Sequence, residues 1–257
     1  MTIKLHVNPE FAERFSAFVN NVAAKGIPPE AVDVYSGRNR VAATPASGTD
    51  GRSKRLNIKE FRVPNALNRW VYAYLRRSKA RRAFDNALRL RQLGFNTPAP
   101  IAWIERHGLG GRLELSYFIS EQYDGWQEIR VAETENHPRI SEIAAGVGEL
   151  IFRLHRAGVW MKDASPGNIL WHTDPDGALN FALVDINRME FNIRSADVLM
   201  SNFGRVFTSE KNIETAARAY ADAAALPEDT IIAQAHKAIA DACKAIQRKQ
   251  RLKKLLP

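Results

Sequence analysis

Trp160-Met161-Lys162-Asp163-Ala164-Ser165-Pro166-Gly167-Asn168-Ile169-Leu170, followed after a short interval by Phe181-Ala182-Leu183-Val184-Asp185, is the stretch that decides how this chain reads. It describes a loop carrying an Asp and an Asn five positions apart, then an apolar strand that ends on a second Asp. Phosphoryl transfer to a hydroxyl needs that arrangement: one carboxylate orients the attacking hydroxyl, while an amide and a second carboxylate hold the magnesium that bridges the ATP phosphates. On this reading Asp163 is the base, and Asn168 and Asp185 are the metal ligands. The D-x-x-x-x-N spacing is weak alone, because surface loops are rich in both residues. Joined to Asn-Ile-Leu and to an apolar run closing on Asp, it becomes specific.

Each residue also has a plain structural reading. Asp163 and Asn168 can serve as turn formers beside Ser165-Pro166-Gly167, and Asp185 can cap a following helix. Lys59, on the alternating segment Leu56 to Phe61, can be an edge-strand charge. Together these readings would require the order and spacing to arise by accident. His155 reads as a packed or hydrogen-bonded structural histidine, and Trp160 and Trp171 read as core. Arg188 reads equally as a contact to substrate phosphate or as a surface charge.

Outward from the loop, the chain divides into a strand-rich half and a helix-rich half. Phe11, Phe15, Phe18, Val19 and Val22 recur at helical spacing over residues 9–24. Residues 32–35 read as a strand entering a turn at Gly37-Arg38-Asn39. The Thr/Pro/Ser/Gly-rich stretch 42–51 reads as a mobile loop. Pro64 opens a helical region with Leu67, Trp70, Val71, Tyr74 and Leu75 on one face, and a second helix carries Ala80, Phe84, Ala87 and Leu88 up to Gly94. Strands over 101–105 and 113–120 flank a Gly-rich turn at 108–111. Ile143, Val147, Leu150, Ile151 and Leu154 mark a buried helix just ahead of the Asp163 loop, and Ala-rich helices over 213–226 and 230–253 follow. The expected architecture is α+β and bilobal. A small antiparallel sheet with helices occupies 1–120, a mainly helical lobe occupies 121–257, and a cleft lies between them.

Composition bounds the rest. The 257 residues are 45% hydrophobic, enough for a substantial core, and no run of about 18 apolar residues exists to span a bilayer. The N-terminus lacks a signal pattern. One cysteine, Cys243, excludes a disulfide framework and makes the cytoplasm the default compartment. The net charge of +9 is concentrated. Between Arg62 and Arg91 the basic residues Arg62, Arg69, Arg76, Arg77, Lys79, Arg81, Arg82, Arg89 and Arg91 face one acid, Asp85. A second cluster runs from Lys244 to Lys254. Such patches suit anionic partners, or are simply solvated helix faces. No motif that reads nucleic acid accompanies them, so no nucleic-acid partner is expected.

The sequence resembles the lipopolysaccharide kinase (Kdo/WaaP) family, within the protein-kinase-like fold. The resemblance is carried by Ser36-Gly37-Arg38-Asn39, Ile58-Lys59-Glu60-Phe61, the segment Arg77 to Phe84, Thr97-Pro98-Ala99-Pro100-Ile101-Ala102, Leu154 to Val159, Asp163 to Leu170 and Leu183-Val184-Asp185. It covers roughly residues 35–190. It implies an ATP- and magnesium-dependent kinase acting on a hydroxyl of an inner-core sugar, Kdo or heptose, on a lipid-linked glycan. Peripheral contact with the anionic inner-membrane surface follows from the same resemblance.

The resemblance also implies that Lys59 reaches the ATP phosphates and pairs with Asp85, where the family pattern carries Glu. Glu121, Gln122 and Tyr123 would form the linker that receives the adenine, and a phosphate-covering loop would lie between Gly37 and Thr49. The chain departs from kinases in three places: the Gly-x-Gly-x-x-Gly pattern is absent, Met161 stands where a His is usual, and Ile186-Asn187 replaces Phe-Gly. Competing readings are a kinase with another small-molecule or protein acceptor, and a catalytically impaired pseudokinase scaffold.

Overall fold

The computed structural model describes residues 1–37, 39–62 and 77–255. It divides into two compact units, Met1–Asp124 and Gly125–Pro257. The helix expected from Pro64 lies outside the described residues, as do Arg38, Arg69 and Arg76.

The first unit is a six-stranded antiparallel sheet in the order β1-β5-β6-β4-β3-β2. Its strands are β1 (Thr2–Val7), β2 (Val32–Ser36), β3 (Arg40–Ser47), β4 (Ser53–Arg62), β5 (Pro100–His107) and β6 (Leu113–Glu121). Alternation along β4 decides how the faces are used. Leu56 and Ile58 point one way and are fully buried with Ile101, Ile104, Tyr117 and Ile119 against Phe15, Val19 and Val22 of helix α1 (Pro9–Lys25). Phe61 points the other way, packing on Ala80 and Ala83 of helix α2 (Lys79–Gln92), with Phe118 and Trp103 beside it. The register pairs Lys59 with Phe118, so Lys59 shares the α2 face.

One expectation is corrected here, and one strand was not expected. Residues 40–47 form β3, paired with β4 along its length, so the loop expected over 42–51 shrinks to the turn around Gly48–Arg52. Pro45 is tolerated because the pairing with β2 stops at Ala43; beyond it β3 is an edge, where a missing N–H costs no ladder bond. Strand β1 escaped the sequence reading. Its residues are largely exposed, so its alternation carries little apolar contrast, and it is held mainly by antiparallel pairing with β5.

The second unit is built on helix α4 (Ile140–Arg156), which follows the short strand β7 (Gln127–Glu128) and helix α3 (Ile129–Thr134). Its buried stripe of Ile143, Val147, Ile151 and Leu154 packs chiefly on helix α6 (Glu210–Ala224). The axes approach so closely that a β-carbon on Gly148 would lie 2.0 Å from the Ala216 carbonyl oxygen. Ser209, at the N-cap of α6, makes no side-chain cap bond. Instead the Glu133 carboxylate accepts from the Thr208 and Ser209 amides and the Asn212 side chain. Helix α5 (Ala196–Met200), a 3-10 turn at Ser201–Gly204 and helix α7 (Glu228–Leu255) complete this unit. A β-carbon at Gly204 would lie 2.5 Å from the Ala238 carbonyl oxygen, so α7 backs that turn directly.

Because no flexible side chain can yield at Gly148, Gly148→Ala is expected to destabilise the second unit by about 1–3 kcal/mol. Urea denaturation followed by far-UV circular dichroism measures it; an unchanged midpoint would contradict the close crossing.

Candidate active site

The Asp163 loop lies on a closed circuit of chain. Strand β8 (Trp160–Met161) enters the loop, β9 (Ile169–Thr173) leaves it, and β10 (Leu179–Leu183) returns antiparallel to β9. The 3-10 turn Ile186–Arg188 then leads into β11 (Met189–Glu190), which pairs back onto β8. Two registers bring the candidate residues of this unit together. Leu183 pairs with Ile169, and the Val184 amide donates to the Asn168 carbonyl at 2.9 Å, which sets Asp185 beside Asn168. Met189 pairs with Met161, which carries Arg188 and Asn187 alongside Lys162 and Asp163.

Inside the loop the turn is made by the backbone. The Ser165 amide donates to the Asp163 carbonyl at 2.8 Å, and the Asn168 amide to the Ser165 carbonyl at 2.9 Å. Asn168 also donates its side-chain N–H to the Asp163 carbonyl at 2.8 Å, which leaves its Oδ1 as an acceptor. The Asp163 carboxylate takes no part in its own turn; at 34% side-chain exposure it faces the Arg188 guanidinium at 3.4 Å.

Asp185 sits in the left-handed region at φ 51°, ψ 40°, a conformation that costs a non-glycine residue about 1 kcal/mol. Its side chain makes no cap bond to the following turn, which removes the helix-cap reading; its Oδ1 accepts from Asn187 Nδ2 at 2.6 Å. One amide oxygen and one carboxylate form a hard-oxygen donor set that fits Mg2+ and would suit zinc poorly.

A buried polar chain braces this circuit from behind. Asn202 Nδ2 donates to the Met161 carbonyl at 2.7 Å, and Asn202 Oδ1 lies 3.1 Å from His155 Nε2. The other His155 nitrogen lies 3.2 Å from the Tyr220 hydroxyl. Ser201 of the same 3-10 turn accepts from Trp160 Nε1 at 3.0 Å. The usual bracing histidine is replaced by Met161, and here the backbone of Met161 is held instead. Burial pushes the His155 pKa down to about 4, with the Asn202 hydrogen bond acting in the opposite direction. His155 is therefore a neutral structural residue. Trp171 is buried as expected, whereas Trp160 is only partly so. Nothing in sequence spacing ties Asn202 to Met161, 41 positions apart, so this clamp was not legible beforehand.

In the first unit, Lys59 Nζ lies 5.4 Å from the centre of the Phe61 ring, and Lys79 Nζ approaches the same ring at 6.0 Å. The carboxylate expected to meet Lys59 is held elsewhere: Asp85 Oδ2 binds Arg77 Nη1 at 2.6 Å. Asp85 is the one acid of α2, and it lies off the stripe of Ala80, Ala83, Phe84, Ala87 and Leu90 that packs on the sheet. The linker residues are tied into the same unit. The Glu121 and Gln122 amides donate to the Ala99 and Arg55 carbonyls, both at 3.0 Å. The Glu121 carboxylate binds Lys54, Gln122 accepts from Asn57 at 2.7 Å, and the Tyr123 hydroxyl donates to Asn96 at 2.6 Å. Two linker N–H groups are thus already spent and are not free to meet an adenine.

A helix-backed antiparallel sheet, followed by a helical unit with this Asp–Asn loop and hairpin, defines a protein-kinase-like phosphotransferase. The chain belongs to the lipopolysaccharide kinase (Kdo/WaaP) family, whose sequence profile matches residues 34–226, and it is accordingly a kinase. A solved structure of WaaP in complex with acyl carrier protein superposes with a TM-score of 0.61 at 15% identity, covering 95% of this chain and 98% of that one. The structure of WbdD with a kinase inhibitor, also 15% identical, gives a TM-score of 0.42 over 80% of this chain and 44% of that one. No curated protein sequence matches the chain. No described helix is long and apolar enough to cross a membrane.

The depressed His155 pKa has a pH consequence. Unfolded histidine titrates near 6.5, so between that value and about 4 the unfolded chain binds a proton that the native state excludes. This contribution is present in full above pH 6.5 and is lost as pH falls toward 4, on the order of 3 kcal/mol across the window. Urea denaturation at pH 7.5 and pH 5 should show His155→Gln with a shallower loss than the parent; equal slopes would contradict a buried neutral His155.

Proposed function

We propose that this kinase transfers the γ-phosphoryl group of ATP to a hydroxyl of an inner-core lipopolysaccharide sugar, Kdo or heptose, with magnesium as cofactor. The observation that carries the reading is the meeting of Asp163, Asn168 and Asp185 on one circuit, set by the β9–β10 and β8–β11 registers. Asp163 orients the acceptor hydroxyl and takes its proton. Asn168 Oδ1 and the Asp185 carboxylate would hold the cation, and the strained backbone at Asp185 keeps that carboxylate in place. Held there, Mg2+ would supply positive charge that offsets the charge of the phosphates. Lys59 is assigned to the ATP phosphates, and the segment around Glu121, Gln122 and Tyr123 to the adenine. Asp85 has no part in this scheme while Arg77 holds it. Positioning supplies most of the rate, since the transition state asks little covalent chemistry of the protein.

The basic surface supports a lipid-linked, anionic acceptor. Arg77, Arg89 and Arg91 are exposed on or beside α2. At the end of α7 the exposed Lys244, Arg248, Lys249 and Arg251 accompany exposed Ile246 and Leu252. Such a mixture suits peripheral contact with anionic lipid, where each basic side chain contributes about 1 kcal/mol near the surface. On this proposal the working enzyme acts in the cytoplasm, in peripheral contact with the inner membrane.

The test is to incubate the protein with labelled ATP, Mg2+ and Kdo-bearing lipid A in anionic vesicles, then locate the label by mass spectrometry. Label on a sugar hydroxyl is expected, with a loss of about 1000-fold or more in Asp163→Asn and salt-sensitive vesicle binding. If Mg-ATP stabilises the parent but label appears only on other acceptors, the sugar assignment is wrong. If neither ATP nor Mg2+ shifts the melting temperature, the scaffold reading replaces it.

A further inference from the structure

Between Asp163 and Asn168 the loop offers only Ala164, Ser165, Pro166 and Gly167, so it carries no cation of its own. The residues that flank the reacting centre in the second unit, Asp163 and Asp185, are both carboxylates, and the incoming phosphates are anionic as well. Lys59 of the first unit is assigned to the ATP phosphates; within the second unit, positive charge beyond the metal must come from a neighbouring segment. Arg130 stands over Gly167 but also faces Glu128 at 3.7 Å, and the β8–β11 register offers two further candidates. Continuing the Met161–Met189 pairing by one residue sets Lys162 opposite Arg188. Lys162 is already engaged: its Nζ binds Glu190 at 2.9 Å and lies 5.4 Å from the centre of the Trp160 ring. Arg188 instead turns its Nη1 toward Asp163 Oδ2.

That contact is loose. At 3.4 Å it is longer than the 2.7–2.9 Å typical of a charge-assisted bond, and the Arg188 side chain is 46% exposed. A guanidinium carries five donors in a planar fork, and one long contact to Asp163 leaves most of them available to a second anion. A hydroxyl bound to Asp163 for in-line attack stands about 3 Å from that carboxylate and about 3–3.5 Å from the phosphorus. The equatorial phosphoryl oxygens then fall within reach of a guanidinium anchored beside the same carboxylate.

Building on the kinase reading above, we infer that Arg188 is a catalytic residue that donates hydrogen bonds to the γ-phosphoryl oxygens during transfer. The acceptor oxygen forms a bond to phosphorus, and the bond from phosphorus to the β–γ bridging oxygen breaks with its electron pair leaving on ADP. The hydroxyl proton passes to Asp163 and on to solvent. Arg188 keeps contact with the equatorial oxygens as the phosphoryl group moves from the ADP oxygen to the acceptor, which holds the group in line between them. The same role applies when water replaces the sugar, so slow ATP hydrolysis reports on it without any knowledge of the acceptor.

The experiment measures steady-state ATP hydrolysis and transfer to Kdo-bearing lipid A for the parent, Arg188→Ala and Arg188→Lys, with Mg-ATP affinity determined by calorimetry. Arg188→Ala is expected to lower kcat about 100-fold or more in both reactions, with KM for ATP and Mg-ATP affinity changed about threefold at most. Guanidinium chloride at tens of millimolar should restore Arg188→Ala at least about tenfold while leaving Asp163→Asn inactive. Arg188→Lys should recover only part of the loss, because an ammonium lacks the planar fork. A kcat within threefold of the parent, a loss confined to the acceptor KM, or a failure of guanidinium to rescue a variant with an unchanged melting curve each overturns the assignment. A parent protein that neither binds nor turns over ATP sinks the kinase reading itself, which is a separate outcome.

Discussion

Two short strands, β8 and β11, each two residues long, close the circuit on which every candidate catalytic group of the second unit sits. Without the pairing of Met161 to Met189, Asp163 and the Asp185–Arg188 segment would be ends of separate loops. With it, the residue two positions after Met161 and the residue just before Met189 face one another. The β9–β10 hairpin closes the other side by setting Leu183 against Ile169. A two-residue ladder contributes little stability alone, so its persistence depends on what packs behind it.

That backing is polar, buried and satisfied. Asn202 spends its N–H on the Met161 carbonyl and its oxygen on His155, which is in turn met by Tyr220. A network with every member paired specifies one arrangement, whereas a gap in it would leave a buried group unsolvated. Helix α7 lies against the turn that carries Asn202, at a glycine that no larger residue could replace without displacing the Ala238 carbonyl. Support therefore passes from α7 through a 3-10 turn to β8 and the loop that carries Asp163. Losing the usual histidine at position 161 is tolerable because the backbone of that residue, rather than its side chain, is what the unit holds.

Sequence pattern conveyed much of this, unevenly. Helical periodicity over Ile143 to Leu154 was legible because that helix buries one stripe, alternation in β4 because Leu56 and Ile58 are buried while Asn57 and Lys59 are partly exposed, and β5 and β6 because a Gly-rich turn separates two apolar runs. Segment 40–47 was not: its Thr, Pro and Ser suggest a loop, and only pairing with β4 makes it a strand. Asp163, Asn168 and Asp185 were legible because their spacing follows the local chain path. The partner of Asp85 was not, because helix phase, not sequence proximity, decides where a carboxylate points, and Arg77 lies just ahead of the same helix. Arg188 was weighed between substrate and surface roles; its place beside Asp163 depends on a cross-strand register that no single segment encodes.

The central claim is that Asn168 and Asp185 jointly hold one divalent cation beside the Asp163 carboxylate. Electron paramagnetic resonance of Mn2+ with a non-hydrolysable ATP analogue tests it directly. The account predicts a protein-bound manganese signal in the parent and in Asp163→Asn, lost on Asp185→Ala and weakened on Asn168→Ala. A bound signal that survives both ligand substitutions would contradict it.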